Sequence, residues 1–347
     1  MGLVVGFAAL LWGIGWALKT SISLRMAITA LLLVVVIVLH FVLPDGHALR
    51  ATTGDTAAPW LFIFFGGLVV FGYTKLLRTM KQKANSVGLE TTPITDDAPF
   101  SDTELNRYAR HIVLREIGGA GQLALKNAKV LVIGAGGLGA PALQYLAAAG
   151  VGTIGVMDDD EVDNSNLQRQ VIHTDTRIGM PKVHSAAAAM KDLNPFITVK
   201  PYNRRLTADI AAELIAEYDL VLDGCDNFET RYLVNDACTT AGVPLVAAAL
   251  TQWEGQISLY DPQNGAPCYQ CVFPTAPAKN LVPSCAEGGV LGPLPGVIGA
   301  MMAVEAVKAI TEAGETLRGR LLIYDALYAE TRIVALKRNQ ECAICGG

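Results

Sequence analysis

The chain has 347 residues, a formal net charge of −5 and 52% hydrophobic side chains. With that charge and no basic stripe in its polar part, it lacks the electrostatic footprint of a nucleic-acid binder, and no nucleic-acid partner is expected. Seven cysteines, four of them in two Cys-x-x-Cys pairs, suit a reducing compartment better than a disulfide scaffold.

Three apolar stretches come first, near 2–18, 26–43 and 57–74. Helices of that length reach about 25–27 Å, the short end of a bilayer span. They predict a transmembrane segment over 1–80 with three helices. Lys19 and Arg25 lie between the first two stretches, and Lys75, Arg78, Lys81 and Lys83 follow the third. The loop from Pro44 to Pro59 instead sets Asp45 and Asp55 against Arg50. By the positive-inside rule the N-terminus is external and the chain beyond Lys75 cytoplasmic, giving a multi-pass protein of the inner (cytoplasmic) membrane. Trp60 and Tyr73 bracket the third stretch as interfacial anchors do. Residues 81–100, with Asn85, Ser86, Gly88, Pro93 and Pro99, read as a linker.

From 101 to 347 the pattern becomes that of an α/β domain. Ser101 and Glu104 have capping-box spacing and predict a helix carrying Arg107, Tyr108, Arg110 and Arg115. The run Lys129–Ile133 is a buried strand, Leu138 to Ala149 a helix, and Thr153–Met157 a second strand. Helices follow near 182–193, 207–216 and 228–241, with strands near 196–201, 220–223 and 245–249. Two further strands near 255–260 and 320–324 extend the sheet, and a helix runs from Gly296 to Ile310. This alternation predicts a doubly wound, mostly parallel, Rossmann-like sheet.

The first strand enters Gly134-Ala135-Gly136-Gly137-Leu138-Gly139, a G-x-G-x-x-G turn opening a helix. Gly134, Gly136, Gly137 and Gly139 permit a tight turn and close approach of backbone to phosphate. Asp158 stands nineteen residues beyond, at the end of the next strand, where an acid binds ribose hydroxyls. This much leaves NAD, FAD and ATP open. The segment Ser165-Asn166-Leu167-Gln168-Arg169-Gln170 then adds amide and guanidinium donors, followed by Lys182; Arg110 stands upstream. Three cations suit a triphosphate better than a dinucleotide. Asp226, beside Asn227 and just past the strand ending in Asp223, is a candidate magnesium carboxylate.

Cys268/Cys271 and Cys342/Cys345 are separated by 70 residues. Two-residue spacers let both thiolates of a pair face one ion, so a zinc clasp of four cysteines is expected, structural because no coordination position stays open. Two unrelated pairs, or a disulfide, are the alternatives.

RYARHIVL at 107–114, GAGGLG at 134–139, SNLQRQ at 165–170, GMPK at 179–182, LDGCDN at 222–227, EGQIS at 254–258 and both Cys-x-x-Cys pairs together resemble the MoeB/ThiF/HesA family. These are bacterial relatives of ubiquitin-activating enzymes, and the likeness is greatest to the molybdopterin-synthase adenylyltransferases among them. It spans about 103–346. It implies ATP-dependent adenylation of a ubiquitin-like sulfur carrier ending in Gly-Gly, with release of pyrophosphate, in molybdenum cofactor biosynthesis. The same chemistry on the thiamine-pathway carrier is the nearest alternative; an NAD-dependent oxidoreductase and a non-catalytic membrane scaffold are more distant ones. The resemblance also implies site roles. Gly137 is a loop contact to ATP, Asp158 the ribose ligand, and Asn166, Arg169 and Lys182 phosphate ligands. Asp226 is the magnesium-linked carboxylate. Arg110 would reach ATP across the interface of a homodimer. Cys285 aligns with a cysteine that links covalently to the carrier in some relatives; a covalent and a passive role both stay open.

Overall fold

The structure is a computed structural model that describes residues 2–54, 56–87, 99–277 and 288–346. The chain divides into two compact units, 1–98 and 99–347.

Among the described residues of the first unit are the helices α1 (Gly2–Ala17), α2 (Ile22–Val42), α3 (Ala48–Thr53) and α4 (Ala58–Val87). α2 packs against the other three. Val4, Val36 and Trp60 are its buried centre. By length and composition α2 over Leu24–Val42 and α4 over Ala58–Leu76 are candidate membrane spans, while α1 has only 16 residues. Three differences from expectation have physical causes. The short helix α3 lies where a loop was expected. It presents the Thr53 carbonyl to the Trp60 indole N–H at 3.0 Å, so Trp60 is buried inside the unit and is not displayed as an anchor. α4 continues through residues 81–87, the start of the expected linker, because Lys, Gln and Ala outweigh Asn and Ser in helix propensity.

In the second unit α5 (Asp102–Ile112) starts with the expected capping box, Ser101 and Glu104 bonding reciprocally. α6 (Gly118–Asn127) follows, then β1 (Lys129–Ile133), α7 (Gly139–Ala149), β2 (Thr153–Met157), α8 (Lys182–Leu193), β3 (Thr198–Tyr202), α9 (Ala208–Ile215), β4 (Leu220–Asp223), α10 (Phe228–Ala241), β5 (Leu245–Leu250) and β6 (Glu254–Tyr260). The last elements are α11 (Tyr269–Val272), α12 (Pro293–Thr311), β7 (Arg320–Asp325) and β8 (Glu330–Ala335). The strands make one sheet in the order β3-β2-β1-β4-β5-β6-β7-β8.

β1 to β5 are parallel neighbours; β5–β6, β6–β7 and β7–β8 are antiparallel. The sheet is thus mixed, where a mostly parallel one was expected. Only Thr251 to Trp253 join β5 to β6, too few residues for a crossover, so the chain must return antiparallel. β8 has no buried residue and therefore no apolar alternation to announce it.

The period of two along each strand makes the layers. Val130 and Val132 face α7, α8 and α12, while Leu131 and Ile133 face α9 and α10. Close packing needs a side-chain-free α7 start: a Cβ on Gly139 would stand 1.9 Å from the Gly134 carbonyl oxygen. Fully buried Asn194 ties three elements together, its amide donating to the Tyr108 hydroxyl at 2.8 Å and the Ala147 carbonyl at 2.7 Å, its oxygen accepting from the Phe196 amide at 3.2 Å. Asn194→Ala is expected to cost about 3 kcal/mol, because it strands buried polar groups, and a shifted denaturant midpoint at unchanged slope would register it.

Candidate active site

Strand order reverses between β1 and β4, and ligands of such sheets bind beyond the strand carboxyl ends at that point. A cleft of about 630 Å³ lies there. Gly134, Gly136 and Gly137 line it from the turn after β1, Asp158 to Asp160 from β2, and Asp226 and Asn227 from the turn after β4. Arg169 and Lys182 also reach it. Gly134 has φ +93°, open to glycine, and a Cβ there would press to 3.0 Å from the Gly224 carbonyl oxygen. Gly136 has only Gln170 nearby, leaving bare backbone for a ligand.

The charged groups divide by what already holds them. Asp158 accepts from the Ala135 amide at 2.7 Å and the Asp160 amide at 2.9 Å, tying β2 to the glycine turn. Burial raises its carboxyl above the ordinary value, opposed by Lys182 and those two amides. Lys182, buried at the first turn of α8, pairs with exposed Asp160 at 2.6 Å. Arg169 donates to the Ser165 carbonyl and the Asn166 side-chain oxygen, both at 3.1 Å. Asn227 caps α10, accepting from the Thr230 amide at 2.8 Å. The exposed Asp226 carboxylate has no hydrogen-bond or ion-pair partner among the described residues, which suits a group awaiting a cation.

Other expected site residues lie outside the cleft lining. Gly139 serves helix packing. Ser165 donates to Asp163, Asn166 braces Arg169 and Gln170, Leu167 is half-buried, and Gln168 is exposed beside Gly292. These build the turn that presents Arg169. Arg110, exposed on α5, does not line this chain's own cleft. Cys285 lies outside the described residues. Cys225 and Cys238 are buried, and burial, with Asp223 adding to it, pushes both thiols up.

The sequence reading missed several groups. Arg204 and Arg205 line the cleft just after β3, and Arg205 pairs with Asp159 at 3.4 Å; their place at a strand's carboxyl end was the available signal. Arg231, on α10, closes the floor beside Asp223 and Tyr269. His173 is buried, with Nε2 at 2.9 Å from the Ala135 carbonyl and Nδ1 at 2.9 Å from the Ser185 hydroxyl. A carbonyl can only accept, so Nε2 carries the proton and the ring braces the glycine turn against α8.

The four paired cysteines come together. Their sulfurs lie within 4.8 Å of one another, with Cys268–Cys342 at 3.6 Å, Cys268–Cys271 at 3.8 Å and Cys271–Cys345 at 3.3 Å. Tetrahedral zinc with bonds of about 2.3 Å sets sulfurs about 3.8 Å apart. All four are free thiols, far from disulfide contact. The donor set therefore fits zinc, and the ion would join the tail to the segment after β6.

Residues 108–344 match the ThiF family. The chain belongs to that family. It is 50% identical over 244 residues to the SAMP-activating enzyme E1 of Haloferax volcanii, covering 70% of this chain and 90% of that protein. Identity to the sulfur carrier protein adenylyltransferase of Thermus thermophilus is 49% over 251 residues, covering 71% and 93%. Among solved structures, E. coli MccB with a MccA variant superposes with a TM-score of 0.62 at 24% identity, over 70% of this chain and 75% of that one, a likeness of fold. The family match begins after the first unit.

His173 carries a pH prediction. Burial, then Lys182 and Arg177, holds its ring below the ordinary 6.5, against the Ala135 bond that raises it. Unfolded, the ring takes a proton near its ordinary value, so stability present above that value is lost as pH falls below it. Between about pH 6.5 and the lowered folded value, wild type is expected to lose up to about 1.4 kcal/mol per pH unit more than His173→Gln, read from denaturation midpoints.

Proposed function

We propose that this chain adenylates the C-terminal Gly-Gly carboxylate of a ubiquitin-like sulfur carrier, with ATP as the nucleotide and pyrophosphate as the leaving group. A carboxylate oxygen attacks the α-phosphorus, the bond from that phosphorus to the α–β bridging oxygen breaks, and pyrophosphate departs with the electron pair. One observation carries this reading: a bare glycine turn, Arg169, Lys182 and the free Asp226 carboxylate meet in one cleft at the switch point. The name of the Thermus thermophilus relative, a sulfur carrier protein adenylyltransferase at 49% identity, supports the carrier as acceptor.

The residues present do what in-line displacement at phosphorus requires, which is positioning and charge neutralisation. The Gly134 and Ala135 amides already donate to the Met157 carbonyl and to Asp158, so the Gly136 and Gly137 amides at the start of α7 would face the phosphates, and Asp158 would face the ribose. On binding, Lys182 and Arg169 turn from Asp160 and Asn166 toward phosphate oxygens, exchanging one charged or polar partner for another. Asp226 would hold magnesium, which when bound would supply positive charge beside the phosphates. Arg110 stands outside its own cleft beside exposed Val113 and Leu114, which supports a homodimer in which each copy completes the other's site.

The acceptor we favour is the molybdopterin-synthase carrier, with the thiamine-pathway carrier second. Carrier-dependent ATP–pyrophosphate exchange, offered each purified carrier in turn, decides between them. Asp226→Ala is expected to lower that exchange by roughly a hundredfold or more with folding intact. Near-normal exchange would remove Asp226 from the site.

We further propose that the first unit embeds in the inner membrane by three helices, with the α/β unit cytoplasmic. The basic clusters at Lys19/Arg25 and after Lys75 support this orientation. A chain beginning at Ser101 is expected to retain exchange while leaving the membrane fraction. Persistence in that fraction counts against the anchor.

A further inference from the structure

The floor of the cleft holds a buried ion pair that the chemistry above does not use. Asp223, ending β4, is fully buried, and Arg231 on α10 is 5% exposed. Arg231 Nη1 lies 3.2 Å from Asp223 Oδ2, and its Nη2 donates to the Cys225 carbonyl at 2.7 Å. Asp223 Oδ1 accepts from the Cys225 amide at 2.9 Å. The pair therefore grips Cys225 on both sides. The carbonyl it holds belongs to the peptide that carries Asp226.

That grip has a second anchor. The Tyr269 ring lies 5.7 Å from the Arg231 guanidinium, and the Tyr269 amide donates to the Asn235 side-chain oxygen at 2.7 Å. Asn235 stands about one turn beyond Arg231 on α10. The Tyr232 hydroxyl donates to the Phe273 carbonyl at 2.8 Å, so α10 is fastened to both ends of α11. Tyr269 directly follows Cys268, one of the four clustered thiols.

A buried pair replaced by apolar side chains is often neutral for stability, so core packing alone gives little reason for an arginine here. A planar guanidinium is the group that can hold a carboxylate and a carbonyl together while lying against an aromatic ring. We propose that Arg231 is a positioning residue that fixes the Asp226 loop, and that Tyr269 and Asn235 join this loop to the four-cysteine clasp. The proposal rests on the reading of Asp226 as the magnesium carboxylate.

The test uses the full chain with Arg231→Lys, Tyr269→Leu and Asp226→Asn. Affinity for a non-hydrolysable ATP analogue is measured by calorimetry with and without magnesium, and amide exchange is followed across residues 225–228. In Arg231→Lys and Tyr269→Leu the magnesium-dependent gain in affinity is expected to fall roughly tenfold, as for mutations along a coupled network. Affinity without magnesium should hold, and exchange should quicken at 225–228 but not in β1 or β4. An unchanged gain with unchanged exchange overturns the proposal. So does an equal loss of both affinities with faster exchange throughout the sheet, which a merely structural pair gives. If Asp226→Asn itself keeps the magnesium gain, the magnesium reading is what fails, and exchange at 225–228 in the other two variants alone decides the positioning role.

Discussion

The site depends on the contact between two turns that have no room for side chains. The Gly134 turn ends β1, the Gly224 turn ends β4, and parallel pairing of those strands sets the turns side by side. A Cβ on Gly134 would crowd the Gly224 carbonyl, and one on Gly224 would stand 3.2 Å from both the Gly139 amide and the Leu138 side chain. Gly134, Gly139 and Gly224 thus let the turn after β1, the start of α7 and the turn carrying Asp226 interlock. A side chain at those glycines would push the glycine turn away from the turn that carries Asp226.

Around that contact, charge is held in two ways. Lys182 pairs with Asp160 and Arg205 with Asp159, and both acids are substantially exposed. Arg205 and Asp159 are both open to water, so that pair is weak and exchangeable, whereas Lys182 is itself buried and only its Asp160 partner faces solvent. Arg231 and Asp223 are instead sealed from water and bonded to backbone. Separating them would leave an uncompensated buried charge. Arg169, Lys182 and Arg205 line the walls, and the buried pair lies beneath the loop that carries Asp226.

Legibility followed the strength of the local pattern. The strands β1, β2, β4 and β5 were readable because each is a short apolar run beside a turn signal, and the glycine turn because its spacing is tied to a strand and a helix. Arg169, Lys182 and Asp226 were legible through motif order, and the cleft brings all three together. Edge strand β8 was invisible, since a strand exposed along its whole length has no buried face to impose alternation. Arg231 and His173 were missed for a different reason. Their importance lies in partners distant in sequence, such as Tyr269 and Ala135, and a lone arginine or histidine on a helix or loop carries no local mark of them.

Apolar length alone did not decide the fate of a helix, and the contrast between α12 and α2 shows what does. Both supply 19 residues apolar enough to cross a membrane. In α12 small residues face the fold: a Cβ on Gly299 would come 2.3 Å from the Leu138 carbonyl oxygen, so α12 lies hard against α7. Ile298, Met302 and Ala306 then fill the core beside it. In α2 the bulky residues point outward, with Leu31, Val35 and Val38 all about half-exposed or more, and α4 likewise displays Phe62, Val69 and Val70. Apolar surface of that extent is costly in water and costless in hydrocarbon. The same composition therefore supports a core helix where a close-packed neighbour exists, and leaves a candidate membrane span where the outward face has no protein partner among the described residues.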